Sequence, residues 1–72
     1  MKSTFDLLEA YLFTIKIGYT ELRLDTYNLN GSVIKIYYSY QYDWCNDRTN
    51  YNESSIEVDL LDYISFVFNS SL

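Results

Sequence analysis

Residues 22–44 read LRLDTYNLNGSVIKIYYSYQYDW, and this stretch decides the fold. Asn30 and Gly31 form an Asn-Gly pair, which is typical of a hairpin turn between two strands. We predict a three-residue loop, Leu29 to Gly31, because the glycine can then adopt the left-handed conformation at no steric cost. That loop predicts three pairs across the hairpin: Leu24–Ile36, Leu22–Tyr38 and Asp25–Lys35.

The second strand of this hairpin carries most of its apolar residues on one face. Alternate side chains of a strand share a face. The predicted core face of the second strand therefore consists of Ile34, Ile36, Tyr38, Tyr40, Tyr42 and Trp44. Tyrosine suits the rim of a small core, because its ring packs while its hydroxyl group reaches water. Of the tyrosines in this strand, only Tyr37 is predicted to point outward.

A helix is predicted before the hairpin, from Ser3 to about Ile15. Ser3 or Thr4 can cap its first turn, and the carboxylate of Asp6 favours the helix N-terminus. Apolar residues recur at helical spacing and form one face, which consists of Leu7, Leu8, Tyr11, Leu12 and Ile15. Phe13 falls outside that face and is predicted to be exposed.

The C-terminal element, residues 55–69, has two interpretations. Ser54 and Glu57 have the spacing of a capping box, which predicts a helix. The core face of that helix would contain Ile56, Leu60, Leu61, Tyr63, Ile64, Val67 and Phe68. Its solvent side would contain Val58, Asp59, Asp62 and Phe66. The alternative is a strand, because IEVDL alternates in polarity and YISFVF is rich in strand-forming residues. We prefer the helix, since its cap, acidic first turn and apolar face agree.

Together these elements predict one α+β domain that spans residues 1–72. Its architecture is α-β-β-α, an antiparallel hairpin of residues 19–28 and 33–42 with both helices covering one face. If either helix does not form, a third strand is expected from Thr14–Ile17 or from Val58–Ile64.

Composition and charge narrow the functional classes. The chain has 72 residues, one cysteine (Cys45), no histidine and a net charge of −5. A single thiol and no export signal predict a cytoplasmic protein without disulfides. Residues 49–72 contain four acidic residues and no basic residue. This third of the chain therefore attracts basic partners and repels phosphate.

No catalytic or metal-binding motif is evident in the sequence. Without histidine the chain lacks the usual general base near neutral pH, and Cys45 has no evident base partner. Asp43, Asp47 and Glu53 superficially resemble a calcium-binding loop. Arg48, however, stands where that loop needs glycine. We therefore expect no enzyme activity, no cofactor and no bound metal.

The remaining class is a protein-binding module with an acidic surface. Carboxylates can meet the Arg and Lys side chains with which a nucleic-acid-binding protein grips phosphate. The predicted contact surface combines acidic residues with three aromatic anchors: Asp43, Asp47, Glu53, Glu57, Asp59, Asp62, Trp44, Tyr51 and Phe66. In size, acidity and aromatic content the chain resembles small phage-encoded inhibitors, such as anti-CRISPR and anti-restriction proteins. That resemblance implies an inhibitor acting inside a bacterial host cell.

Two other functions stay open. An adaptor, antitoxin or immunity protein would bind through aromatic surfaces, and its acidity would serve solubility. The predicted exposure of Phe13, Val58 and Phe66 then favours a homodimer or a partner surface. Direct binding of single-stranded nucleic acid would stack bases on the tyrosine face, but the chain has few basic residues to neutralise phosphate. No membrane partner is expected.

Overall fold

A computed structural model describes residues 3–15, 19–42 and 51–70. In chain order the elements are α1 (Thr4–Ile15), β1 (Tyr19–Asn30), β2 (Val33–Tyr42), β3 (Asn52–Asp59) and α2 (Leu60–Ser70). The strands form one antiparallel sheet in the order β1-β2-β3. The predicted α+β class is confirmed, and a third strand makes the architecture α-β-β-β-α. No helix within the described ranges is long and apolar enough to span a bilayer.

The first helix begins where its capping residue predicts. The hydroxyl oxygen of Ser3 accepts a hydrogen bond from the Asp6 amide at 3.2 Å, and the Ser3 carbonyl accepts one from the Leu7 amide at 3.0 Å. Leu8 and Leu12, one turn apart, are almost completely buried. The cap therefore sets the start of α1, and the buried residues set which side of it meets the sheet.

The hairpin turn has two residues, Gly31 and Ser32, so the predicted three-residue loop is wrong. Asn30 pairs with Val33, and Gly31 has a φ of 64°. No other described residue has a positive φ. A positive φ at the first turn residue alone is the pattern of a type II′ turn, which suits the right-handed twist of the flanking strands. Gly-Ser is itself a hairpin signal, but the prediction was based on Asn-Gly alone.

One extra residue in β1, Asp25, shifts the register of the hairpin. Beyond this bulge the pairs are Leu24–Tyr38 and Leu22–Tyr40. Both lie two residues further along β2 than predicted, and a shift of two keeps each side chain on its face. The predicted inward positions of Leu22 and Leu24 are therefore confirmed. The predicted pairing of Asp25 with Lys35 is wrong, because Asp25 accepts a hydrogen bond from the Ser39 hydroxyl at 2.8 Å.

Residues 52–59 form a strand, so the first part of the predicted C-terminal helix is wrong. β3 pairs with β2 over its whole length, and Ile56 lies opposite Ile36. This strand overlaps the expected Val58–Ile64 segment only at its end. Pairing with a neighbouring strand of matching polarity outweighs the local capping signal at Ser54.

The second helix begins at Leu60, later in the chain than predicted. The Asp59 carboxylate oxygen Oδ1 accepts a hydrogen bond from the Leu61 amide at 2.9 Å, so Asp59 is the cap. The Leu60 amide donates to the Ser32 carbonyl at 2.8 Å. This bond fixes the start of α2 beside the hairpin turn.

Both helices pack on one face of the sheet, as predicted. This helix-side face consists of Leu22, Leu24, Ile34, Ile36, Tyr38, Ile56 and Val58. α1 packs against β1, α2 packs against β3, and the helices contact each other. At that contact the centroid of the Tyr11 ring lies 5.7 Å from that of Tyr63 and 5.2 Å from that of Phe66.

Several predictions about apolar exposure in the C-terminal element are wrong. Val58 is buried and Phe66 is partly buried against the core, contrary to their predicted solvent positions. Val58 faces inward because it belongs to a strand, and Phe66 is held by Tyr11. Three residues of the predicted core face are exposed instead: Leu61 at 69%, Ile64 at 37% and Phe68 at 70%.

Two other predictions of side-chain exposure are confirmed, and one is wrong. Phe13 is exposed, and Tyr40 is partly buried against the core, both as predicted. Ile15, at the end of α1, is exposed although the prediction places it in the core. The side chain of Tyr42 and the whole of Trp44 lie outside the described residues.

Candidate protein-interaction surface

The sheet face that points away from the helices is the candidate surface, and we call it the open face. Strand alternation puts these residues there because their neighbours point into the core. The open face consists of Glu21, Arg23, Asp25, Thr26, Asn28, Asn30, Val33, Lys35, Tyr37, Ser39, Gln41, Glu53, Ser55, Glu57 and Asp59, with Tyr51 beside them. A rigid three-stranded sheet therefore holds these side chains in fixed relative positions.

Carboxylates lie on both edge strands of the open face. Glu53 and Glu57 are exposed on β3, and four residues of strand separate them by about 13 Å. On β1, Glu21 and the bulge residue Asp25 are also exposed. Lys35 lies directly opposite Glu57 and offsets part of its charge.

Tyr51 crosses the open face from the β3 side to β1. Its hydroxyl group donates a hydrogen bond to the carboxylate oxygen Oε2 of Glu21. The central strand runs between them, and Gln41, which lies opposite Glu21, is only 3% exposed. The guanidinium carbon of Arg23 lies 5.7 Å from the centroid of the Tyr51 ring. Tyr51 is therefore held at one end of the open face by contacts of both its hydroxyl group and its ring.

Tyr37 occupies the middle of the open face. The Lys35 ammonium nitrogen lies 5.4 Å from the centroid of its ring, within cation–π range. Its neighbours across the sheet are Thr26 and Ser55. The predicted outward position of Tyr37 is confirmed, and its ring lies beside Lys35 and between the small polar residues Thr26 and Ser55.

The basic residues of the described ranges both lie on this face. They are Arg23 and Lys35, against eight acidic residues in the same ranges. Each one is placed against a tyrosine ring. The described part of the molecule is therefore strongly acidic.

Asp59 ends the open-face row of β3, opposite Val33, whereas Asp62 lies on α2. Asp59 caps α2, and Asp62 lies in the first turn of that helix. Burial raises the pKa of the Tyr11 hydroxyl, and the negative charges of Asp62 and then Asp59 raise it further. Both carboxylates therefore lie near the α1–α2 contact, and both are exposed, as predicted.

The structure divides the predicted contact residues into four groups, one of which is Asp59 and Asp62 at the start of α2. Glu53, Glu57 and Tyr51 come together on the open face. Phe66 packs in the contact between the helices. Asp43, Trp44 and Asp47 lie outside the described residues, as do the remaining predictions for that loop.

The sequence analysis missed three residues that belong with the surface: Glu21, Asp25 and Tyr37. Tyr37 was recognisable, because strand alternation already points it outward. The contribution of Glu21 and Asp25 depends on β3, since only a third strand places a second acidic row on the same sheet. Because β3 was not predicted, the acidic character of the open face was not predicted either.

A shallow depression lies on the open face near the hairpin turn. It is lined by Asn28, Asn30, Val33, Lys35 and Glu57. Within residues 3–15, 19–42 and 51–70, no group of three His, Cys, Asp or Glu side chains is arranged to hold a metal ion. The described surface offers a ligand carboxylates, amides, hydroxyl groups, tyrosine rings and two cations, Arg23 and Lys35.

The fold and surface define a small α+β domain with an acidic, tyrosine-bearing sheet face. Comparison of the chain with protein-family models, curated protein sequences and solved structures finds no match in any of the three.

Proposed function

We propose that this protein is a non-enzymatic inhibitor that binds a nucleic-acid-binding protein and occupies its basic groove. One observation carries the proposal: exposed carboxylates on β1 and β3 lie on the same rigid face of the sheet. They are Glu21, Asp25, Glu53 and Glu57. In this proposal the protein acts in the cytoplasm of a bacterial cell, as a phage-encoded inhibitor would.

Fixed carboxylates can replace the phosphates that a basic groove normally holds. Arg binds carboxylate and phosphate with the same two-pronged geometry. Because the sheet fixes the backbone positions of Glu53 and Glu57 before binding, only their side chains have to be ordered at that step. The net charge of −5 also steers the protein toward a basic surface, which makes association fast and sensitive to salt.

Tyrosine rings supply the contacts that charge alone does not provide. Interfaces are enriched in tyrosine, and a few buried aromatic residues usually carry most of the binding energy. Tyr37 lies among the open-face acids, and Tyr51 lies at one end of that face. A partner that covers the open face would bury Tyr37 at the centre of the contact and Tyr51 at one end of it.

A second candidate is an adaptor, antitoxin or immunity protein that binds through apolar surfaces, alone or as a homodimer. Leu61 and Phe68 favour it, because both are about 70% exposed on one side of α2. Binding of single-stranded nucleic acid is the weaker alternative. The acidic residues around Tyr37 would repel a phosphate backbone that stacked its bases there.

Two variants with the same net charge test the proposed function. Glu53→Gln/Glu57→Gln neutralises the β3 carboxylates, and Ser65→Lys/Asn69→Lys adds the same charge to the exposed polar side of α2. Each protein is immobilised and exposed to the heparin-binding fraction of a bacterial lysate. Proteins that duplex DNA or RNA releases from the column are then identified and quantified.

We expect the native chain and the lysine control to capture a nucleic-acid-binding protein that competing nucleic acid releases. The glutamine variant should retain about a tenth of it or less, since two charge contacts are lost. Equal capture by all three chains, or capture that nucleic acid does not compete with, would exclude the inhibitor and favour the adaptor.

A further inference from the structure

The outer edge of β3 has no backbone partner in the described part of the chain. Among residues 3–15, 19–42 and 51–70, β3 is an edge strand, and residues 52–58 make their ladder bonds only to β2. Most of these residues are exposed, with Ile56 half-buried and Val58 buried. A regular, exposed edge is a template for another strand.

The opposite edge of the sheet is protected. The backbone amide of Leu24 in β1 donates a hydrogen bond at 2.9 Å to the Glu9 carboxylate, which reaches across from α1. The register of β1 also shifts twice, at Thr20 and at Asp25. Bulges and covering side chains are the usual means of blocking an edge, and β3 shows an unbroken register.

An apolar stripe lies on the side of α2 that faces away from α1. The stripe consists of Leu61, Ile64 and Phe68, whose spacing of three and four residues puts them on one side of the helix. Tyr63 and Phe66 contact α1 from the other side of α2. Because α1 lies on β1 and α2 lies on β3, the stripe faces outward past β3.

The outer edge of β3 therefore lies between an apolar surface and an acidic surface. Above it lies the α2 stripe, and below it Glu53 and Glu57 project from the open face. A strand added at this edge would alternate its side chains between the two sides. Its apolar residues would meet the stripe, and its alternate residues would meet the carboxylates.

We propose that β3 accepts an extra strand from its partner, an extended segment in which apolar residues alternate with Lys or Arg. The proposal deepens the inhibitory function, because Glu53 and Glu57 serve in both. Main-chain hydrogen bonds hold such an added strand, and the side-chain sites on alternate positions select its sequence.

A second copy of this chain fits the edge less well than a basic segment. Antiparallel pairing of two β3 strands would bring Glu53, Glu57 and Asp59 of both copies onto one face. Like charges on neighbouring strands destabilise the pair. The acidic row therefore disfavours self-pairing and attracts a strand of opposite charge.

The test uses a fluorescent eight-residue peptide that alternates Lys and Val, with both ends blocked. Its control has the same composition with the four lysines first. Anisotropy titration near physiological salt measures binding, and hydrogen exchange measures protection of the amides in residues 52–58. We expect about tenfold or tighter preference for the alternating peptide, with slowed exchange in β3, because only that peptide matches both sides of the edge.

Two further peptides carry N-methyl groups on alternate backbone amides, one in each frame. Only one frame points its amides at β3, so one peptide should lose binding and the other should keep it. On the protein, Leu61→Ser should weaken binding several-fold by shortening the stripe. Leu29→Ser is the matched control, because Leu29 is similarly exposed at 62% but lies in β1.

Equal binding of alternating and permuted peptides, or of both methylated frames, would overturn strand addition in favour of simple charge attraction. Protection of β3 amides in a dimer without peptide would overturn it in favour of self-pairing. If the peptide fails while nucleic-acid-competed capture persists, strand addition falls and the inhibitor stands. If the peptide binds but no such capture occurs, the inhibitor falls and strand addition stands.

Discussion

Tyr37 and Tyr38 are neighbours in β2, yet they belong to two faces of the sheet with opposite roles. Tyr38 is 2% exposed on the helix-side face, and its ring centroid lies 5.8 Å from that of Tyr40. Tyr37 is 36% exposed on the open face, beside a lysine. The same type of side chain therefore packs in the core on one face and is exposed to solvent on the other.

This difference separates the residues that hold the fold together from those that are free to bind. The helix-side face buries aliphatic residues from all three strands, and both helices close over it. The open face has no covering layer among the described elements, and its charges are mostly exposed. Substitutions on the open face should therefore change binding without unfolding the protein, and those on the helix-side face should do the reverse.

The largest expected effect is that of Tyr38→Ala. Truncation of this buried ring leaves a cavity under both helices, and we expect the free energy of unfolding to fall by about 3–5 kcal/mol. Urea denaturation followed by circular dichroism measures it. Tyr38→Phe, which keeps the ring, is the control and should cost much less. An unchanged midpoint for Tyr38→Ala would mean that the two faces do not differ as described.

A moderate effect is expected from alkaline pH through the two tyrosines of the helix contact. Burial raises the pKa of Tyr11, helped by Asp62 and Asp59, and burial together with Tyr27 raises that of Tyr63. The folded state therefore holds these protons more tightly than the unfolded state does. The resulting stability is complete below about pH 10 and is lost as pH rises through the raised pKa values.

Urea midpoints measured between pH 8 and 11 should consequently fall at the alkaline end. The double variant Tyr11→Phe/Tyr63→Phe should show a shallower fall, because it has no hydroxyl protons to lose at the helix contact. A variant whose fall matches that of the native chain would contradict this assignment and place the titrating groups elsewhere.

The smallest effect is expected from Tyr37→Ala. This substitution removes an exposed ring and one cation–π contact, so we expect less than about 1 kcal/mol of destabilisation. Thermal or urea denaturation checks the stability. Capture of the nucleic-acid-binding partner should drop in the same variant, since Tyr37 lies at the centre of the open face. A loss comparable to that of Tyr38→Ala would show that the open face also carries the fold.

Local signals predicted the parts of the fold that depend on local interactions. The Ser3 cap and the spacing of Leu8 and Leu12 are properties of one helix, and α1 forms as they indicate. Side-chain alternation in β2 likewise places Tyr37 outside and Tyr38 inside. Each of these predictions needs only the chain within a few residues.

The wrong predictions concern features that depend on a partner strand. The spacing from Ser54 to Glu57 resembles a capping box, and the spacing from Asp59 to Asp62 is the same. Only the ladder between β2 and β3 decides that the second pair begins the helix. The same strand turns Val58 inward, adds the second acidic row and leaves the α2 stripe exposed. Half of the candidate surface could therefore not be predicted from local sequence patterns.

The order of the strands in the sheet, β1-β2-β3, is also their order along the chain. Each strand can therefore join the sheet after closing a short loop, which has a low entropic cost and favours fast folding. The contact of Tyr11 with Tyr63 and Phe66 is different, because it joins segments on opposite sides of the whole sheet in sequence. Once the sheet has formed, it holds these segments near each other, so the helix contact costs little further loop-closure entropy. We therefore expect the contact between the two helices to form after the three strands have paired.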